Sequence, residues 1–116
     1  MTDQILSLAM ALMHVDGGER ELLEYLCTLA EEELRAALRP GVSAEACPAF
    51  GVGAAWLALS HLAAARETER VKRFSAGDLS VERGEGGGSG ELRRLSERAM
   101  APYVVDGGFA FRGVRG

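Results

Sequence analysis

Apolar residues recur at helical intervals through most of the chain. Ile5, Leu8, Ala9 and Leu12 fall at the spacing of one helix face, and Thr2 or Asp3 stands where an N-cap belongs. Met10 and Met13 add apolar bulk on a neighbouring face, and His14-Val15-Asp16-Gly17-Gly18 breaks the pattern. Asp16 followed three positions later by Glu19 has the form of a capping box, in which each side chain takes up the other residue's free backbone N–H. A second helix is therefore expected from about Gly18 to Arg39. Its Leu22, Leu23, Leu26, Leu29, Ala30, Leu34, Ala37 and Leu38 form one apolar stripe, with Glu19, Glu24, Glu31, Glu32 and Arg35 mostly elsewhere on the wheel. Arg39-Pro40-Gly41 ends it.

After a short linker, Val42 to Cys47, Pro48 suits the first turn of a third helix. The run Ala49 to Ala65 is apolar nearly all round, with Phe50, Val52, Trp56, Leu57, Leu59 and Leu62 separated by glycine and alanine. Such a helix has to be covered on several sides, either at the centre of its own bundle or by a neighbouring copy. The charged stretch Arg66 to Arg70 finishes it, so the helical part is expected to span 1–70. Val71 and Phe74 then flank two basic residues, and Leu79 and Val81 alternate with Asp78, Ser80 and Glu82. With the turn-like Ser75-Ala76-Gly77-Asp78 between them, these pieces predict a short β-hairpin or extended segment over 71–83. The glycine run 84–90 reads as a flexible loop.

Ser89 can cap a last helix over 91–103, in which Leu92, Leu95, Ala99, Met100 and Tyr103 share a face. Pro102 limits or bends it near its end. The remainder, 104–116, reads as an extended arm: a turn at Asp106-Gly107-Gly108, then the alternating Phe109, Phe111 and Val114. The expected architecture is thus mainly α: a single domain, 1–116, of about four helices, with a hairpin-like piece before the last helix and an extended C-terminal arm.

Composition narrows the function more than the fold. A chain of 116 residues fits one domain, and its 47% hydrophobic content, much of it alanine, is too high for a disordered segment. The net charge of −4 and a pI near 5.2 argue against a protein that grips nucleic-acid phosphates. Cys27 and Cys47 stand apart with no CxxC, as free thiols of a reducing compartment do. The first residues carry no basic leader, and no apolar run approaches the roughly 20 residues a membrane helix needs, so no membrane association is expected.

The glycine run invites a phosphate-loop reading and fails it. A P-loop needs a lysine after its second glycine, and the single lysine, Lys72, precedes the run. Gly84 and Gly86 both lack the third glycine of a dinucleotide-binding turn, as does Gly51-Val52-Gly53. Two histidines, His14 and His61, and two separated cysteines make no metal signature, and no spacing pairs a nucleophile with a base. No catalytic, cofactor-binding or metal-binding residue is assigned, and an enzyme is not expected. One electrostatic feature stands out: Arg93, Arg94, Arg98, Arg112 and Arg115 crowd toward one end while the second helix is acidic. Either this is ordinary surface charge or a basic end meets an acidic partner surface.

The order of pieces resembles a known family. A helix "VDGGERELLEYLCTLAEEEL", an alanine-rich helix, then "VKRFSAGDLSVERG", a variable loop, a helix ending "MAPYV" and a terminal "GGFAFRGVRG" look like the small head–tail connector, or head-completion, proteins of long-tailed phages and prophages. The likeness is carried by Phe74 to Val81 and by Ala101 to Gly116; the first half matches in helix order and length. The resemblance implies a non-enzymatic structural protein without cofactors, made in the bacterial host cytoplasm and placed in the virion at the head–tail junction. It implies a ring of about a dozen copies in which one patch meets a different patch on the next copy. That ring would sit between the portal protein and the next tail-side connector, with DNA passing through it without sequence-specific binding. Carried onto this chain, the contact residues it implies are Val71, Phe74, Leu79 and Val81 in the hairpin-like piece, and Phe109, Phe111, Val114 and Arg115 in the arm. A small helical adaptor or regulator binding another protein is the alternative.

Overall fold

The computed structural model describes residues 1–76 and 88–105. Over the described residues it is mainly helical, with four helices: α1, Thr2–Leu12; α2, Arg20–Ala37; α3, Phe50–Ala76; and α4, Gly88–Met100. Single turns of 3-10 helix at Gly17–Glu19 and Ala44–Ala46 lead into α2 and towards α3. Among the described residues there is no strand, only one antiparallel bridge between Leu38 and Val104.

The chain turns where its local chemistry requires. Before α2, the Asp16 capping box forms as its spacing predicts, and the Asp16 N–H donates to Glu19 Oε1 at 3.2 Å. Beyond α2, Gly41 takes a φ of 89°, a left-handed conformation that a side chain would strain. The start of α1 differs from expectation. No side chain caps it; Thr2 instead reaches across, its hydroxyl donating to Glu31 Oε1 of α2 at 2.9 Å.

The third helix is the centre of the bundle, packed against α1, α2 and α4. Its all-round apolar run is therefore covered within the chain: Phe50, Ala54, Ala55, Leu57, Ala58, Leu59 and Leu62 are buried. Ile5, Leu6 and Ala9 come to this core from α1, and Met100 from α4. The face that α2 buries is Leu23, Cys27, Ala30, Leu34 and Ala37, a row at i, i+4, i+7, i+11 and i+14. It is rotated from the expected stripe, for it includes Cys27 and leaves Leu22 and Leu29 exposed. Each fully buried leucine contributes about 1.5–3 kcal/mol relative to exposure.

Two expected boundaries move. The third helix does not stop at Arg70 but runs to Ala76, so Val71 and Phe74 lie in a helix and not in a strand. Adding residues to a helix already formed costs far less than starting a hairpin, which is marginal on its own. Glu69 and Lys72, three apart, also favour the helical form. The rest of the hairpin-like piece, including Leu79 and Val81, lies outside the described residues. The last helix starts at Gly88 rather than 91, and so takes in the end of the glycine run. It ends at Met100, two residues before Pro102, and Tyr103 sits in the following turn with its N–H bonded to Met100 O at 2.8 Å.

Helices α3 and α4 meet over Gly53. A Cβ built there would stand 2.6 Å from Met100 Cγ and 2.8 Å from Met100 Sδ. Beside this contact the buried Ser96 hydroxyl donates to Gly53 O at 2.8 Å. Only a residue without a side chain permits the approach. Gly53→Ala is expected to lower stability by about 1–3 kcal/mol through overpacking, read by urea unfolding, although alanine is the better helix former. Combined with Met100→Ala, the two losses should sum to less than their separate values, because the clash is removed with its partner.

Candidate functional site

With no catalytic constellation expected, the candidate site is a set of surfaces. Of the residues singled out for contact, Val71 lies in α3 with 55% of its surface exposed. Phe74 belongs to the same helix. Leu79, Val81, Phe109, Phe111, Val114 and Arg115 lie outside the described residues.

Val71 sits on a part of α3 that leaves the bundle. Five consecutive residues, Thr68 to Lys72, are exposed, so among the described residues no element covers the helix there. The departure point is Arg66. Its guanidinium binds the Glu19 carboxylate through two hydrogen bonds, Nε to Oε2 at 2.8 Å and Nη2 to Oε1 at 2.7 Å. Nη2 also donates to His14 O at 3.1 Å. One side chain thus ties α3 to both ends of the α1–α2 connection, and the ten residues beyond it extend the helix by about 15 Å.

A second polar group joins three helices. Glu33 of α2 faces His61 of α3, Oε1 to Nε2 at 3.5 Å, and Arg93 of α4, Oε2 to Nη2 at 3.5 Å. Arg93 in turn approaches Glu97, one turn further along α4, at 3.6 Å. All four side chains are half-buried. Sequence reasoning missed this group, because it set the acidic residues of α2 apart from its apolar stripe and read Arg93 as surface charge or as part of a basic end that meets a partner. Of Glu31, Glu32 and Glu33 only Glu32 is exposed. Glu31 accepts from Thr2 and from Arg35, at 3.1 Å from Nε and 3.0 Å from Nη2. The signal was present: Glu33 lies four residues beyond Leu29, on the flank of α2 next to its buried row. One meeting of acidic α2 with the basic last helix therefore closes inside the subunit.

The third surface is apolar. Leu22, Tyr25 and Leu29 of α2, at i, i+3 and i+7, are 41%, 62% and 38% exposed. Leu26, half-buried between them, packs against the core. Glu21 and Glu32 flank the stripe and are exposed.

The groups that could carry chemistry are placed otherwise. Cys27 and Cys47 are buried. Burial pushes the Cys27 thiol up to about 11, so it stays protonated near neutral pH. His14 is exposed and bonded to Asp16 at 3.1 Å, while His61 belongs to the Glu33 group. Among the described residues, no group of three or more His, Cys, Asp or Glu is placed to hold a metal ion. Among the same residues, no helix is long and apolar enough to cross a membrane. No protein-family model, curated protein or solved structure matches the chain.

The Arg66–Glu19 clamp gives a dependence on pH. Its hydrogen bonds hold the Glu19 carboxyl at about 2, below the ordinary 4.5. A depressed folded value stabilises the fold above the unfolded value, and the gain is lost as pH falls through the folded one. Glu19→Gln should therefore lower the thermal midpoint at pH 7. The gap from the unaltered chain should narrow between about 4.5 and about 2 and vanish below that. A gap that stays constant through this range would show that the clamp's charge plays no part.

Proposed function

We propose that the chain is a structural virion protein, forming a closed ring between the portal and the tail of a phage or prophage particle and extending its DNA channel. The observation that carries the reading is the resemblance over Phe74 to Val81 and Ala101 to Gly116, set on a bundle of four helices. The exposed end of α3 supports it. There α3 continues past Arg66, which is tied to Glu19, and carries Val71 exposed; a helix already formed loses less entropy on docking than a disordered segment would. In such a ring the α3 tip and the segment 106–116 act as contact elements towards neighbouring copies or the portal, each meeting a patch unlike itself. The acidic balance suits a passage that DNA crosses without being held. The protein acts by assembly and carries out no reaction.

Native mass measured across protein concentrations should show a closed oligomer growing in at the expense of the monomer. In a particle-producing strain, removing residues 106–116 should abolish head–tail joining and leave filled heads without tails. A chain that stays monomeric at every concentration and alongside portal protein would sink the ring and favour an adaptor. Infectious particles at normal yield from the shortened chain would exclude segment 106–116 as a contact element.

A further inference from the structure

Two exposed patches of the bundle are complementary in shape and charge. On α2, Leu22, Tyr25, Leu26 and Leu29 stand at i, i+3, i+4 and i+7. Four residues so spaced frame the hole that receives one side chain of a facing helix. Leu22, Tyr25 and Leu29 are exposed, and the half-buried Leu26 closes the hole towards the core. Glu32 follows Glu21 by about three helical turns, so both stand on one edge of the hole, and both are exposed. On α3, the exposed Val71 lies between the exposed Arg70 and Lys72. Successive residues of a helix are about 100° apart, so one cation stands on each side of Val71, while Glu69 falls on the far side. Glu67, one turn earlier, is half-buried, with its Oε2 shielded from water. Among the described residues neither Arg70 nor Lys72 is paired with a carboxylate, and neither Glu21 nor Glu32 with a cation. The other exposed apolar surface, Leu8, Met10 and Leu12, belongs to α1, a helix without lysine or arginine.

We infer that Val71 of one copy enters the hole between Leu22, Tyr25, Leu26 and Leu29 of a second copy, with Arg70 and Lys72 beside Glu21 and Glu32. This rests on the proposed self-assembly and names the patch that receives the exposed end of α3. Two observations assign the occupant. The chain's own Val71 belongs to one continuous helix, Phe50–Ala76, whose earlier part is packed into the bundle. Arg66 to Lys72 holds no proline or glycine at which that helix could bend back onto α2. Two α2 stripes facing each other antiparallel about a two-fold axis would instead set Glu21 of one copy against Glu32 of the other, like charge on like. The cations beside Val71 meet the same edge with opposite charge. Each copy thus offers one knob and one hole, and the contact runs head to tail.

The test mixes two full-length chains, Val71→Cys and Tyr25→Cys, under mild oxidation and reads the disulfide-linked dimers by mass. Cys27 and Cys47 are buried, so pairing is directed to the new thiols. The mixed dimer should exceed its share under random pairing several-fold, with the two self-dimers as the measure of thiol reactivity. Arg70→Glu with Lys72→Glu in the first chain should lower the mixed dimer towards its random share. Glu21→Lys with Glu32→Lys in the second chain should then restore the excess. All of these positions are exposed. A mixed dimer at its random share, or an excess indifferent to the charge reversal, overturns the inference and leaves the stripe to a partner other than this chain. Native mass of the unaltered chain reads the ring separately. A closed oligomer with random cross-linking removes this contact and leaves the ring. Specific cross-linking in a chain that forms only open strings removes the ring and leaves the contact. A chain monomeric at every concentration, with random cross-linking, removes both.

Discussion

The fold depends on how closely α3 and α4 approach at Gly53. Helix α4 is short and its mean composition is polar; it adds Met100 and Ser96 to the buried interior and little else. What it lacks in apolar area it recovers in proximity. The Met100 side chain lies too close to Gly53 to leave room for a Cβ there, and the Ser96 hydroxyl closes on Gly53 O. Close-packed contacts gain dispersion energy from many atom pairs at once, and the buried hydroxyl is fully satisfied. With α4 held there, the turn after it, at Tyr103 to Val105, reaches Ala37 and Arg39 and pins the end of α2.

Around that contact the polar groups act as ties between helices. Thr2 to Glu31 joins α1 to α2, Arg66 to Glu19 joins α3 to the start of α2, and the Glu33 group joins α2, α3 and α4. Arg35 links Glu31 to Glu45 and lies 5.6 Å from the Phe50 ring centre. A net charge of −4 therefore understates the order in the charges. Two acidic side chains of α2, Glu31 and Glu33, have a cation or hydroxyl of another element opposite them, and Glu21 and Glu32, which are exposed, border the exposed stripe.

The helical class, the four helices and the capping box at Asp16 were legible in the sequence, because each rests on periodicity or on residues a few positions apart. Rotation about a helix axis was less so. Leu22 and Leu29 look like core by type, yet Cys27 is the residue that is buried, since a broad apolar arc does not say which of its edges meets a neighbour. The end of α3 was misread because valine and phenylalanine beside basic residues satisfy a strand pattern as well as a helix pattern. Only continuity with the helix that runs from Phe50 up to them decides between the two. The Glu33 group joins three helices far apart in the chain, and no local rule predicts such a meeting. The expected contact residues were legible only in part: Val71 is exposed as a contact residue should be, while six of the eight fall outside the described residues.

The overhang of α3 has a mechanical meaning. A continuous helix is stiff over this length, so its tip and its buried half form one lever with Arg66 near the pivot. A sideways push on residues 70–76 is resisted first by the two short bonds to Glu19 and then by the tight seat at Gly53, further down the same rod. Load taken up at the surface would pass straight into the tightest packing of the bundle, with no loop between to absorb it.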